Sequence, residues 1–109
     1  MKVIAFIPAR LESKRFPNKV LRLINNIPMI EHVRRRAFLS KAFNDVIVVT
    51  NSNIIKRKLK KYNAKVKLTK KRHLSGTSRV SEISKYYKFD YACILFADEP
   101  FINPDKLSL

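Results

Sequence analysis

Glycine is almost missing from this chain: Gly76 is the only one in 109 residues, and there is no tryptophan. Loops that cradle phosphate with bare backbone are built from glycines, so a glycine-rich phosphate loop is excluded. Cysteine occurs once, as Cys93, which excludes an internal disulfide. Within the apolar run "YACILF" that thiol reads as buried and inert. Acids are scarce as well, eight Asp and Glu against 24 Lys and Arg, for a formal net charge of +16. No apolar run is long enough to span a bilayer. The opening "MKVIAFIP" is too short for a signal peptide and has no small-residue cleavage site behind it. The expectation is a cytoplasmic protein with no membrane insertion.

The cationic excess invites a nucleic-acid reading, because clustered cations displace counterions from a phosphate backbone. Most of it, however, lies in "IKRKLKKY" (55–62) and "KLTKKRH" (67–73), where helical or strand spacing turns cations to water. A nucleic-acid module would also bring exposed aromatics to the same face. Here Phe6, Tyr62 and Phe96 fall on positions expected to face a core. A basic binding module is therefore the alternative reading, and nucleic acid is not the expected partner.

What is present is an alternation of two periods. Apolar runs at 3–7, 45–50, 64–69 and 91–96 read as strands. Three are nearly continuous, as strands buried on both faces are, and 64–69 alternates, which places it nearer an edge. Between them lie helical stripes. Pro28 opens one that runs to about Lys41, with Met29, Ile30, Val33 and Ala37 on one face. Ser52 or Asn53 caps a second carrying Ile55, Leu59 and Tyr62. Thr77 or Ser78 starts a third with Val80, Ile83 and Tyr87, and Pro104 with Asp105 begins another. Strand and helix in strict alternation predict an α/β fold with a mostly parallel sheet and right-handed crossovers.

In such sheets ligands collect beyond the carboxyl ends of the strands. The segments expected there are "PARLESKRFPNK", "NSN", "KKRHLSGT" and "ADEP". Arg10, Lys14, Arg15 and Lys19 can neutralise a polyphosphate, with Arg forking onto its oxygens. Pro8 and Pro17 stiffen the loop where glycine would have allowed close approach. A carboxylate at Asp98 can hold Mg²⁺ against phosphate oxygens. The residue types alone leave a solvated basic loop open beside a phosphate site. The same holds for Ser13 as a turn residue, Thr77 as a cap and Arg79 as a surface side chain. His32 and His73 lack a convincing third ligand for a metal.

"IPARLESKRFPNKVL", "PMIEHVRRRA", "SGTSR" and "ADEPFI", in this order and spacing, resemble the amino-terminal half of the 3-deoxy-manno-octulosonate cytidylyltransferases, also called CMP-Kdo synthetases. The acylneuraminate-type cytidylyltransferases are the nearest alternative. The resemblance implies a three-layer, nucleotidyltransferase-type (Rossmann-like) mostly parallel sheet, truncated relative to the family. It implies transfer of CMP from CTP to the acidic sugar Kdo with release of pyrophosphate, for lipopolysaccharide biosynthesis. By resemblance Arg10, Lys19 and Asp98 carry the chemistry, and Asp98 holds Mg²⁺. Ala9, Arg10, Ser13, Arg15, Lys19, Ser75, Gly76, Thr77 and Arg79 would shape the nucleotide side. Residues 1–109 then form the nucleotide-binding portion, and a carboxy-terminal half with the sugar pocket and dimer contacts is absent. The partners implied are CTP, Kdo, and either a second copy in a homodimer or a separate carboxy-terminal half. Two departures stand out: the family's "GDEP" is "ADEP", and "SGT[DE]R" is "SGTSR", which loses an acid at Ser78.

Overall fold

Seven apolar residues at the amino terminus form the central strand. The computed structural model describes residues 1–11, 19–70 and 76–96. Strand β1 (Val3–Ala9) is buried along nearly its whole length, because strands pair with it on both sides and helices cover both faces. It pairs in parallel with β4 (Asp45–Thr50), with Phe6 opposite Ile47, and with β6 (Tyr91–Ile94), with Ala5 opposite Cys93. Strand β5 (Lys65–Leu68) pairs in parallel with β4, giving the sheet order β5-β4-β1-β6. The alternation in 64–69 does mark an edge strand, with Lys65 and Lys67 exposed.

Period-two alternation sends β1 side chains to two separate cores. Ala5, Ile7, Ala9, Val46 and Val48 meet Ile30, Val33 and Ala37 of helix α1 (Met29–Leu39) and Ile55 and Leu59 of helix α2 (Asn53–Leu59). Ile4, Phe6, Ile47 and Val49 meet Val80 and Ile83 of helix α3 (Gly76–Ser84) on the opposite face. Phe6 lies edge-on to Tyr87 and Phe89, each at 6.0 Å between ring centroids. Two helices on one face and one on the other make three layers, as the sequence implied.

The helix boundaries have local causes. Ser52 caps α2, its Oγ accepting from the Ile55 amide at 3.2 Å. Ser52→Ala should cost about 1 kcal/mol, the usual worth of such a cap. A urea titration checks this, with a lower midpoint at unchanged slope expected. Asn63, left-handed at φ 56°, ends the turn Lys60–Tyr62 that follows α2. Pro28 is not inside α1 but immediately before it, in β3 (Ile27–Pro28).

β3 belongs to a small hairpin with β2 (Leu23–Ile24), a feature absent from the sequence reading. Asn25 and Asn26 make its turn at φ 53° and 64°, left-handed values that Asn tolerates. His32 donates from Nε2 to the Ile24 carbonyl at 2.7 Å and ties the hairpin to α1.

Four expectations need correction. The strand 91–96 was to be buried on both faces; β6 ends at Ile94 and is exposed over Tyr91, Ala92 and Cys93. It has a sheet neighbour on one side only among the described residues, which is why its apolar side chains stay uncovered. Cys93 is therefore exposed, and Phe96 is 46% exposed and outside either core. Helix α3 starts at Gly76, one residue before Thr77, and the helix expected at Pro104 lies outside the described residues.

Candidate functional site

The connection after β1 leads through α1 on one face, whereas β6, on the other side of β1, is reached through α3 on the opposite face. Such a reversal is the switch point at which open α/β sheets form a crevice for ligands, here between β1 and β6 at their carboxyl ends. Pro8 and Ala9 end β1 there, buried, and Arg10 follows, exposed.

Gly76 brings the start of α3 down onto this crevice. A β-carbon at Gly76 would stand 2.8 Å from Cγ of Pro8 and 3.2 Å from Cε1 of Phe96. The single glycine is thus used for close approach between helix, strand end and ring, not for a left-handed turn.

One turn into α3, Arg79 is 4% exposed, which overturns the surface reading of that residue. Its Nη1 donates to Oγ1 of Thr69, a longer bond at 3.4 Å, and Thr69 is itself buried just past β5. Burial lowers the Arg79 pKa, the charge of Arg10 lowers it further, and Glu82 partly opposes both. An arginine stays protonated under such shifts. Two guanidinium groups thus add positive charge where the end of β1 meets the start of α3, and Arg79 is the one stripped of water. Such a pair is relieved by an anion placed between or beside them.

The neighbouring strand ends are held rigidly. Thr50, fully buried, accepts from the Ser52 amide through Oγ1 at 3.1 Å, and its carbonyl accepts from the Thr69 amide at 2.9 Å. Oε2 of Glu82 accepts from the Lys70 amide at 2.7 Å, fastening α3 to the end of β5.

Of the residues singled out in the sequence, Ala9, Arg10, Gly76, Thr77 and Arg79 lie at the end of β1 or the start of α3. Lys19, half-buried, opens the turn Lys19–Leu21, whose Val20 packs in the same core as Ala9. Ser13, Arg15, Ser75 and Asp98 lie outside the described residues, as do Lys14 and His73. Sequence reasoning missed Thr69 as the partner of Arg79. Its only signal was a hydroxyl at the end of an otherwise alternating strand. Among the described residues no group of three or more His, Cys, Asp or Glu could hold a metal ion. No helix of the described chain is long and apolar enough to cross a membrane.

A second concavity lies between α2 and β5, lined by Asn53, Lys56, Arg57, Lys60, Ala64 and Val66. It is basic and carries no aromatic ring on which a base could stack.

Comparison with known proteins converges on one family. The model of the cytidylyltransferase family matches residues 4–109. A 3-deoxy-manno-octulosonate cytidylyltransferase of Acaryochloris marina is 37% identical over 98% of this chain and 44% of its own length. An 8-amino-3,8-dideoxy-manno-octulosonate cytidylyltransferase of a Shewanella species is 39% identical over 98% of this chain and 45% of its own. A solved CMP:2-keto-3-deoxy-manno-octonic acid synthetase in complex with CTP superposes with a TM-score of 0.94 at 34% identity, covering 98% of this chain and 44% of that one. The chain spans less than half the length of the relatives it matches.

Proposed function

This chain belongs to the cytidylyltransferase family, and from that premise we propose that it binds CTP in the β1–β6 crevice as the nucleotide portion of a CMP-transferring enzyme. The observation that carries the reading is a buried cation, Arg79, on the turn of α3 that Gly76 packs against Pro8, at the same carboxyl edge of the sheet where Arg10 follows β1. Arg10 and Lys19 meet the triphosphate, with Ser13 and Arg15 supporting the loop. Ala9, Ser75, Gly76, Thr77 and Arg79 shape the nucleotide side. Support for the ligand comes from the solved relative, which is a complex with CTP.

The acceptor is a sugar acid of the manno-octulosonate skeleton, the element common to the names of both relatives. Kdo is the acceptor proposed. A hydroxyl of the sugar attacks the α-phosphorus; the new P–O bond forms as the bond to the β-phosphate oxygen breaks and pyrophosphate leaves. Fixed cations suit this reaction because they stabilise the charge that moves onto the leaving oxygens without having to reorganise. The sugar pocket and dimer contacts would come from the part of the domain outside the match.

Mg²⁺ held by Asp98 is part of the proposal and rests on the resemblance and on carboxylate oxygen being a suitable hard donor. The described residues supply no such cluster, so no step is assigned to the ion.

Thermal unfolding with CTP, ATP, GTP or UTP, with and without Mg²⁺, tests the reading. At a hundredfold excess over Kd, CTP should stabilise the fold by roughly 2.7 kcal/mol. Arg10→Ala and Arg79→Met should each remove most of that gain, and Mg²⁺ should enlarge it. Equal shifts with all four nucleotides, or none in a folded sample, would sink the proposal.

A further inference from the structure

The two residues that follow β5 are fastened to α3 at two points. Nη1 of Arg79 donates to Oγ1 of Thr69 at 3.4 Å, and the Lys70 amide donates to Oε2 of Glu82 at 2.7 Å. Thr69 and Lys70 are consecutive, and Arg79 and Glu82 stand three apart on one face of the helix. A single contact would leave α3 free to pivot about it; two restrain its rotation as well. The strand side of this clamp is itself anchored. The Thr69 amide donates to the carbonyl of fully buried Thr50 at 2.9 Å, and Thr69 is only 7% exposed.

The choice of acceptor matters as much as its position. A buried cation is ordinarily met by a carboxylate, because a buried charge without a counter-charge is costly. Glu31 plays that part for Arg34 in this chain. At Arg79 the contacting group is a hydroxyl, which directs the guanidinium through one nitrogen without cancelling its charge. Glu82, the carboxylate that acts on Arg79 among the described residues, engages the Lys70 amide through Oε2. An arginine that is oriented in advance and still charged suits an anion arriving from solution.

We propose that Thr69 is a positioning residue of the nucleotide site: its hydroxyl turns the Arg79 guanidinium toward bound CTP and leaves its charge available to the ligand. Thr69 acts through Arg79 and touches no nucleotide. This deepens the CTP reading and rests on it.

The test compares Thr69→Val, Thr69→Ser, Thr69→Asp and Arg79→Met in the 109-residue chain. Urea titration gives the stability without ligand, and calorimetry gives Kd for CTP. Valine keeps the shape of threonine and removes the acceptor, so Kd should rise about tenfold. Serine restores the hydroxyl and should restore the affinity. Aspartate supplies the missing counter-charge, so the urea midpoint should rise while CTP binding weakens by a similar factor. A tie that served stability alone would not move the two in opposite directions. Adding Thr69→Val to Arg79→Met should cause little further loss of affinity. Without nucleotide, NMR of the Arg79 side chain should show slow rotation of its guanidinium in the parent chain and in Thr69→Ser, and faster rotation in Thr69→Val.

Three results would overturn the proposal. One is an unchanged Kd in Thr69→Val where Arg79→Met loses affinity, which would leave Thr69 a structural tie. Another is a Thr69→Asp chain that binds CTP as tightly as the parent. The third is a guanidinium that rotates as fast in the parent as in Thr69→Val. A guanidinium released by Thr69→Val in a chain whose parent binds no CTP would support the hold of Thr69 on Arg79 and sink the CTP reading, so the two failures are distinguishable.

Discussion

Glu31→Ala should lower stability by about 3 to 5 kcal/mol, which for a domain near this size is a drop in Tm on the order of 15 °C or more. Glu31 lies in the first turn of α1 and is fully buried. Its carboxylate accepts from Nε and Nη2 of Arg34, the latter at 2.9 Å, and from Nε of Arg35 at 2.8 Å. Nη2 of Arg34 also donates to the Tyr62 carbonyl at 3.3 Å, and the Arg35 guanidinium stands 5.1 Å from the Tyr62 ring centroid. One carboxylate thus organises two arginines that fasten α1 to the turn after α2.

Removing it leaves Arg34, whose side chain is only 12% exposed, without its counter-charge. That cost dominates, because a buried charge stripped of its partner loses far more than a surface pair is worth. Arg35, 46% exposed, can rehydrate and contributes less to the loss. Glu31→Gln keeps acceptor oxygen but not charge and should lose roughly half as much. A calorimetric melt of the three proteins decides it. A Glu31→Ala drop of only a few degrees would mean that Arg34 escapes to water and that the carboxylate does not join the helices.

Gly76→Val should destabilise by about 3 kcal/mol, and Gly76→Ala by about 1 to 2. In an open helix the sign would be reversed, since alanine is favoured over glycine by about 1 kcal/mol. Here the added carbon meets the Pro8 ring at 2.8 Å, and that ring sits at the buried end of the central strand and cannot swing aside. Phe96 at 3.2 Å is the more yielding neighbour. The helix must therefore lift, and Arg79, one turn along, moves with it. Both variants should lose part of the CTP-induced stabilisation as well as intrinsic stability. Urea unfolding with and without CTP separates the two effects. A stabilised Gly76→Ala would refute the close-approach account.

These residues show how far the sequence could be read. Glu31 with Arg34 and Arg35 is visible as an i, i+3 and i, i+4 pattern, which on most helices is a surface pair of small worth. Nothing local says that this turn of α1 is covered by the Tyr62 turn. Arg79 was legible as a cation in "SGTSR", but a guanidinium two residues after a threonine could equally face water. Its burial follows from Thr69, ten residues away, and from the descent of α3 onto Pro8. The hairpin at Leu23–Pro28 escaped because its strands are only two residues each, too short for a period to show.

Class, order and direction of the main elements were set by the sequence alone: four apolar strands separated by helical stripes, a lysine-marked edge at β5, and motifs that placed the chain in its family. These are local properties, since period and turn chemistry are decided within a few residues. Tertiary structure alone decided which side chains are covered. "YACILF" and "DVIVVT" look alike as strings, yet β4 lies inside the sheet and is buried while β6, paired on one side only among the described residues, exposes Cys93. Burial is a property of neighbours, and an apolar strand reads the same whether or not the chain beside it is present.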